Sequence, residues 1–227
     1  MPNQLPQDLA DLPSRITGPA AWIGQEMADN PEAWLYQLSS EDIGDLENAA
    51  RHFLALELDV GEISKETFPL TTFSTRARDL SKILLTGAGV QVLRGLPIAG
   101  YSQKFAATIF CGLGAHLGSA RSQNSQGHIL GHVRDIGGDV NDPNSRIYQT
   151  CERQTFHTDS ADIVGLLCVR GAKEGGKSLL VSAESIYNRM KQQRPDLLVK
   201  LFDPIATDRR GEIPEGAKVL MTYGGGS

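Results

Sequence analysis

The chain has few cysteines, few aromatic residues and no excess of positive charge. Its three cysteines, Cys111, Cys151 and Cys168, are widely separated and form no Cys-x-x-Cys pair, so neither a disulfide framework nor a structural zinc site is indicated. The net charge of -5 and the pI near 5.5 give no basic field of the kind that nucleic-acid or anionic-membrane binding requires. Small molecules are therefore the expected partners.

Long hydrophobic runs are also missing. The first residues, Met-Pro-Asn-Gln-Leu-Pro-Gln-Asp, lack the basic start and the apolar run of a signal peptide, and no later stretch approaches the roughly 20 apolar residues of a membrane span. We expect a cytoplasmic protein with no membrane partner. With 227 residues and 40% hydrophobic content, the chain is long enough for one sizeable core.

Helical patterns dominate the first half of the chain, and short extended patterns dominate the second. Apolar spacing and capping residues predict helices over residues 20–27, 31–38, 40–54, 75–86, 102–117, 182–194 and 196–202. Alternation and glycine punctuation predict strands over residues 90–93, 132–136, 147–150, 156–159, 163–169, 178–181 and 204–208. This order predicts an α+β fold with helices packed outside a β-structure.

One extended segment carries a histidine and a carboxylate two residues apart, in Phe-His157-Thr-Asp159. Side chains alternate faces along a strand, so His157 and Asp159 are expected to point the same way. Such a pair is two-thirds of the 2-His-1-carboxylate triad that holds non-haem Fe(II) and leaves positions open. The spacing alone has low specificity, because a histidine two residues before an aspartate occurs often by chance.

The residues after this pair make the motif more specific. A buried-looking strand ends near Arg170, a loop containing Gly175-Gly176 follows, and Ser178 opens the next strand. In this order the elements resemble those of the taurine dioxygenase (TauD/TfdA) family of Fe(II)/2-oxoglutarate-dependent dioxygenases. The resemblance runs from about Val90 to Lys218.

The resemblance implies a fold and a set of roles. It implies a double-stranded β-helix, or jelly-roll, with Fe(2+) bound by His157 and Asp159 and with Ser178 contacting the co-substrate 2-oxoglutarate. It divides the chain into a mainly helical region, 1–89, a partial oxygenase domain, 90–218, and a divergent flexible tail, 219–227. The implied partners are O2 and a small organic substrate, such as an intermediate of secondary metabolism. The open edges of an incomplete jelly-roll would also favour association with another chain, such as a homo-oligomer.

Two elements of the family pattern have no counterpart here. The last histidine of the chain is His157, so the distal histidine ligand is missing, and so is the arginine beyond it that pairs with 2-oxoglutarate. Arg209 and Arg210 precede the position of the missing histidine, so neither is assigned that role. We therefore expect a C-terminally truncated chain with an incomplete jelly-roll core. The alternative function is that of a catalytically inactive relative or an assembly partner.

The loop before Ser178 also fits a different motif. Gly171-Ala-Lys-Glu-Gly-Gly176-Lys177-Ser178 matches the phosphate-loop pattern G-x-x-x-x-G-K-[ST]. A phosphate loop must lead directly into a helix whose amides face the phosphates, whereas the residues after Ser178 look extended. Nucleotide binding through Gly171–Ser178 is thus the less favoured alternative.

Two other patterns are interpreted as structural. His128 and His132 have the i, i+4 spacing of helical metal ligands, but Gly127 and Gly131 favour a loop there. The glycines of Gly112-Leu-Gly-Ala-His-Leu-Gly118 fall late in a helical stretch and are predicted to serve helix packing and helix termination, not dinucleotide binding.

Overall fold

The computed structural model describes residues 9–123, 127–138, 147–159 and 161–203. They belong to two compact units. Unit 1 comprises Met1–Arg15, Ser122–Asp159 and Tyr187–Ser227, and unit 2 comprises Ile16–Arg121 and Ser160–Ile186. The predicted strand at 204–208 and the predicted tail at 219–227 lie outside the described residues.

Helices make up most of the regular structure in the described ranges. The helices are α1 (Gly24–Asp29), α2 (Ser40–Ala55), α3 (Phe73–Thr86), α4 (Gln103–Leu117), α5 (Ala183–Gln193) and α6 (Pro195–Lys200). The strands are β1 (Leu35–Gln37) and β2 (Val92–Arg94), which pair in parallel with Leu35 opposite Val92. Short 3-10 helices cover Leu9–Asp11, Pro31–Ala33, Val60–Glu62, Ile98–Gly100 and Ile147–Gln149.

Helix α2 begins at the capping box that the sequence predicts. The Ser39 hydroxyl accepts a hydrogen bond from the Asp42 amide at 3.1 Å, and the Ser39 amide donates to the Asp42 carboxylate at 2.8 Å. Two amides that would otherwise lack partners at the helix start are satisfied in this way. The face that follows buries Leu46, Ala50 and Phe53 in the core of unit 2.

The core of unit 2 lies among α2, α3 and α4. Phe53, Phe68 and Phe73 are at most 1% exposed and fill its centre. The buried carboxylate of Asp45 on α2 accepts hydrogen bonds from the amides of Thr71, at 2.9 Å, and Phe73, at 2.8 Å. Since these amides lie at the start of α3, a side chain of α2 fixes where α3 begins.

Gly112 allows α4 to approach the phenyl ring of Phe68. A Cβ atom at position 112 would lie 2.3 Å from that ring, far inside van der Waals contact. The His116 imidazole, one turn later, shares a 2.8 Å hydrogen bond with the Phe68 carbonyl. The prediction that the glycines of this helix serve packing is confirmed at Gly112.

A polar cluster joins α2 to the start of α4. The Tyr101 hydroxyl donates to the Glu47 carboxylate at 2.7 Å, and the Arg51 guanidinium donates to the same group at 2.6 Å. These two bonds, that of Tyr101 first, lower the pKa of the Glu47 carboxyl. Burial, followed by the hydrogen bond to Glu47, raises the pKa of the Tyr101 hydroxyl.

We expect Glu47→Gln to lower the free energy of unfolding by about 1 kcal/mol near neutral pH, because a charge-assisted pair is lost. A carboxyl whose pKa is lower in the folded state stabilises above its unfolded pKa, and this contribution is lost as pH falls through the folded pKa. The difference between the variant and the parent should therefore shrink in acid. Urea unfolding at several pH values measures it, with Glu57→Gln, at an exposed site, as the control.

Unit 1 buries the side chains of Leu12, Tyr187 and Leu198. The Tyr187 hydroxyl donates to the Pro13 carbonyl at 2.7 Å, and the Lys191 ammonium donates to the Leu12 carbonyl at 3.0 Å. These bonds tie residues far apart in the sequence.

None of the helices in the described ranges is both long enough and apolar enough to cross a membrane.

Several sequence predictions of local structure are wrong. The helix predicted over 31–38 is a 3-10 turn followed by β1, because residues 35–37 pair with β2. The strand predicted over 147–150 is the 3-10 helix Ile147–Gln149. The strands predicted over 132–136, 156–159, 163–169 and 178–181 are not strands, because no neighbouring strand pairs with them in the described residues.

The outcome for the fold class is mixed. Helices together with a parallel strand pair agree with an α+β chain, and β2 lies close to its predicted position. The described ranges contain one two-stranded sheet, so the jelly-roll core stays a prediction. The division at residues 89 and 218 likewise stays a prediction.

Candidate metal centre

His157 and Asp159 lie on a non-helical segment of unit 1, and both side chains are exposed. Neither is held in the regular strand that the alternation predicts. The two residues therefore lie on an exposed segment without regular secondary structure, and both side chains are accessible to a ligand from solvent.

The hydrogen bonds of His157 define which ring nitrogen can bind a metal. Nδ1 lies 2.8 Å from the Thr155 carbonyl oxygen, which can only accept, so Nδ1 carries the proton. Nε2 then has the lone pair, and the Gln154 amide nitrogen lies 3.2 Å from it as a donor. A neutral imidazole with Nδ1–H on a backbone carbonyl is the arrangement that metal-binding histidines use. A metal at Nε2 would take the place of the Gln154 amide.

The Asp159 carboxylate is the second candidate ligand. Within the described ranges, no hydrogen bond or ion pair engages it. A carboxylate oxygen and an imidazole nitrogen are both suitable ligands for Fe(II). The donor chemistry of the pair thus fits ferrous iron.

The pair is not completed by a third ligand in the described part of the chain. No group of three histidine, cysteine, aspartate or glutamate side chains there is placed to hold a metal ion. In the sequence, no histidine follows His157. The arrangement supplies two protein ligands.

Ser178 lies in unit 2, just after a turn that needs two glycines. Gly175 and Gly176 have φ values of 69° and 67°, in the left-handed region that glycine adopts without strain. A Cβ atom at Gly176 would also lie 2.7 Å from the Cβ atom of Ala172. The turn therefore accounts for the Gly-Gly pair and leaves Ser178 exposed on its far side.

The same region does not have the form of a phosphate loop. No helix begins at Ser178. Helix α5 starts at Ala183, after Ser182, whose hydroxyl accepts from the Ser185 amide at 2.9 Å. The amides at the start of a helix are the groups that bind phosphates, and here they follow Ser182 rather than the loop. The local geometry disfavours the nucleotide-binding alternative.

A shallow pocket of about 200 Å³ lies in unit 1, and it contains His128 and His132. Arg134 and Tyr148 also line it. The backbone of 127–138 is not helical, which confirms the loop interpretation and removes the helical i, i+4 geometry. Sequence reasoning missed this pocket because residues 128 and 148 are distant in the chain.

The three cysteines are not paired with one another. Cys111 is half-buried on α4, and burial raises the pKa of its thiol, whereas Cys151 and Cys168 are exposed. Cys111 is thus a packed thiol, whereas the thiols of Cys151 and Cys168 are open to solvent.

Comparisons with known proteins match most of the chain. The family model described as "Taurine catabolism dioxygenase TauD, TfdA family" matches residues 53–218. The chain is 32% identical over 206 residues to FR-33289 synthase of Streptomyces rubellomurinus (strain ATCC 31215). The aligned region covers 90% of this chain and 60% of that relative. It is 30% identical over 197 residues to Taurine hydroxylase-like protein SAT17 of Stachybotrys chartarum (strain CBS 109288 / IBT 7711), covering 84% of this chain and 51% of that relative. The chain thus spans between half and two-thirds of the length of these relatives.

Proposed function

The chain belongs to the taurine catabolism dioxygenase TauD, TfdA family, and from that premise we propose that it carries part of the site of an Fe(II)- and 2-oxoglutarate-dependent dioxygenase. His157 and Asp159 bind the iron, and Ser178 contacts the co-substrate. The substrate is a small organic molecule with an oxidisable C–H bond. The observation that supports the proposal is the hydrogen bond of His157 Nδ1 to the Thr155 carbonyl, which leaves Nε2 as the ligand atom.

The hydrogen bond of His157 to the backbone supports its proposed role. The Thr155 carbonyl holds the proton on Nδ1, so Nε2 is the ligating atom. Thr155 is accordingly a positioning residue, because its carbonyl fixes both the tautomer and the orientation of the ring. Asp159 contributes an oxygen ligand and one negative charge, which offsets part of the charge of the metal.

Fe(II) held by His157 and Asp159 would supply, with O2 as the oxidant, the oxidative decarboxylation of 2-oxoglutarate to succinate and CO2, coupled to oxidation of the substrate. The protein's contribution is to bind the metal and to orient the co-substrate and the substrate. Two protein ligands leave positions open for the co-substrate and O2.

Ser178 is proposed to donate a hydrogen bond to a carboxylate of 2-oxoglutarate. A hydrogen bond to a charged group contributes about 1.5 to 3 kcal/mol. We therefore expect Ser178→Ala to raise the KM for 2-oxoglutarate by about tenfold to a hundredfold, measured by succinate release at saturating Fe(II). Ser178→Thr keeps the hydroxyl and should stay close to the parent. An unchanged KM in Ser178→Ala would contradict this role.

The direct test of the function is Fe(II)-dependent turnover. Purified protein with Fe(II), ascorbate, 2-oxoglutarate and O2 should release succinate and CO2, even without a primary substrate, because uncoupled turnover needs only the co-substrate site. Lys177→Ala tests the nucleotide-binding alternative, since that alternative requires the lysine for phosphate and the iron proposal does not. Succinate release that requires His157 and not Lys177 supports the proposal.

A second candidate is an assembly partner without activity of its own. The observation that favours it is the two-ligand donor set in the described ranges. It predicts iron binding without succinate release by the isolated chain. The same turnover assay separates the two candidates.

A further inference from the structure

The side chain of Gln154 lies at the atom through which His157 is proposed to bind iron. Its amide nitrogen is 3.2 Å from Nε2 of His157, three residues further along the chain. The Thr155 carbonyl accepts from Nδ1 of the same ring, so Nε2 has the lone pair and can only accept. The amide must therefore face Nε2 with its N–H group, because its oxygen would meet the lone pair.

A metal ion and the Gln154 amide cannot share Nε2. A neutral imidazole nitrogen offers one lone pair, and both an amide hydrogen and a metal bind along it. At a nitrogen–nitrogen distance of 3.2 Å the amide hydrogen lies about 2.2 Å from Nε2. A metal bound to a histidine nitrogen lies about 2.0 to 2.1 Å away, which is the same position. The Gln154 side chain must therefore leave before a metal can bind.

The Gln154 side chain can leave at small cost. The residue is exposed, and among the described residues its amide makes no hydrogen bond other than the one to His157. Rotation about its single bonds moves the amide into solvent, where water takes over the hydrogen bond. We propose that Gln154 is a reversible cap on the ligating nitrogen of His157, bonded to Nε2 in the metal-free protein and released when iron binds. The inference rests on the proposed function, because it takes His157 as an iron ligand.

The cap has two opposing effects on iron affinity. It helps to orient the ring, which favours binding, and it competes with the metal for Nε2, which opposes binding. The Thr155 carbonyl already orients the ring through Nδ1, and that bond is kept when Nε2 binds a metal. Competition therefore outweighs orientation. The apparent dissociation constant is the intrinsic one divided by the uncapped fraction, and one net hydrogen bond changes such a constant about two- to tenfold.

Removing the amide tests the cap. Gln154→Leu keeps a side chain of similar size without a donor, and Gln154→Ala removes the bulk as well. Both variants of the full chain should bind Fe(II) alone about two- to tenfold more tightly than the parent, measured by anaerobic equilibrium dialysis. A merely supporting role predicts the opposite sign, because loss of support for a ligand weakens binding. The control is Gln193→Ala, at an exposed glutamine of α5 in the same unit, which should bind as the parent does.

Nitrogen-15 NMR of the His157 ring gives a measurement on the metal-free protein. The Nε2 resonance should move in Gln154→Leu, because its hydrogen bond is lost, while the proton should stay on Nδ1, because Thr155 is unchanged. An Nε2 resonance that is the same in Gln154→Leu and in the parent would overturn the proposal.

The iron measurement can also overturn the cap. An affinity that is unchanged in both Gln154 variants would show that the amide does not compete with the metal. A lower affinity would overturn the proposal as well, since it would identify the amide oxygen of Gln154 as a ligand. Failure of the proposed function gives a different result, because His157→Ala would then bind Fe(II) as the parent does.

Discussion

Replacing His157 by alanine should lower the affinity for Fe(II) about a hundredfold or more. Loss of a group that merely orients a ligand already costs ten- to a hundredfold, and His157 is proposed as a ligand itself. The proton lies on Nδ1, which donates it to the Thr155 carbonyl, so the lone pair is on Nε2. Anaerobic equilibrium dialysis with Fe(II) measures the change.

The matched control is His132→Ala, which removes another exposed imidazole from the same unit. It should leave Fe(II) affinity within about twofold, because no proposed ligand is lost. Asp159→Asn tests the second ligand and should weaken binding as well, since the amide lacks the charge. Equal loss in His157→Ala and His132→Ala would show that iron binds nonspecifically to surface imidazoles.

Replacing Gly112 by alanine should lower the free energy of unfolding by about 3 kcal/mol, at the upper end of overpacking effects. The added Cβ atom would lie 2.3 Å from the Phe68 ring, which is fully buried and has no space to move. Phe68 belongs to the core that α2, α3 and α4 share, so its displacement would disturb the packing of all three helices. Urea unfolding monitored by circular dichroism measures the loss.

Gly114→Ala provides a close control on the same helix. Nothing lies within 4 Å of a Cβ atom at Gly114, so the substitution adds helix propensity without a clash. It should raise stability by up to about 1 kcal/mol. Opposite signs at the two positions would support the packing role of Gly112, and equal effects would contradict it.

Elements with local signals could be predicted from the sequence. The capping box at Ser39 and the apolar spacing after it predict α2, and the Ser182 cap predicts α5, because both signals act within one turn. The end of α3 follows from Gly87, where a Cβ atom would lie 2.8 Å from the Ile83 carbonyl oxygen. Such features need no information from distant residues.

Elements that depend on distant partners could not be predicted. Residues 31–38 have helical spacing, yet 35–37 form β1 because they pair with β2, which begins only at Val92. The converse applies to 163–169 and 178–181, which have strand composition but no pairing partner in the described residues. Alternation indicates a strand, but the structure forms one only where a neighbour is available.

The site could be predicted in part. The residue types and spacing of His157 and Asp159 predict a metal-binding pair, and the assignment of these two residues stays a prediction. The tautomer of His157 could not be predicted, because it depends on the position of the Thr155 carbonyl. The placement of Ser178 after a left-handed Gly-Gly turn also required the backbone geometry.

The most direct test of the central claim is anaerobic absorption spectroscopy of the full chain with Fe(II) and 2-oxoglutarate. Chelation of iron by 2-oxoglutarate at the His157 and Asp159 site should produce a visible charge-transfer band. The account predicts that the band appears in the parent and in Lys177→Ala, and that it is absent in His157→Ala. A parent without the band at saturating Fe(II) and 2-oxoglutarate, or a band that persists in His157→Ala, would contradict the account.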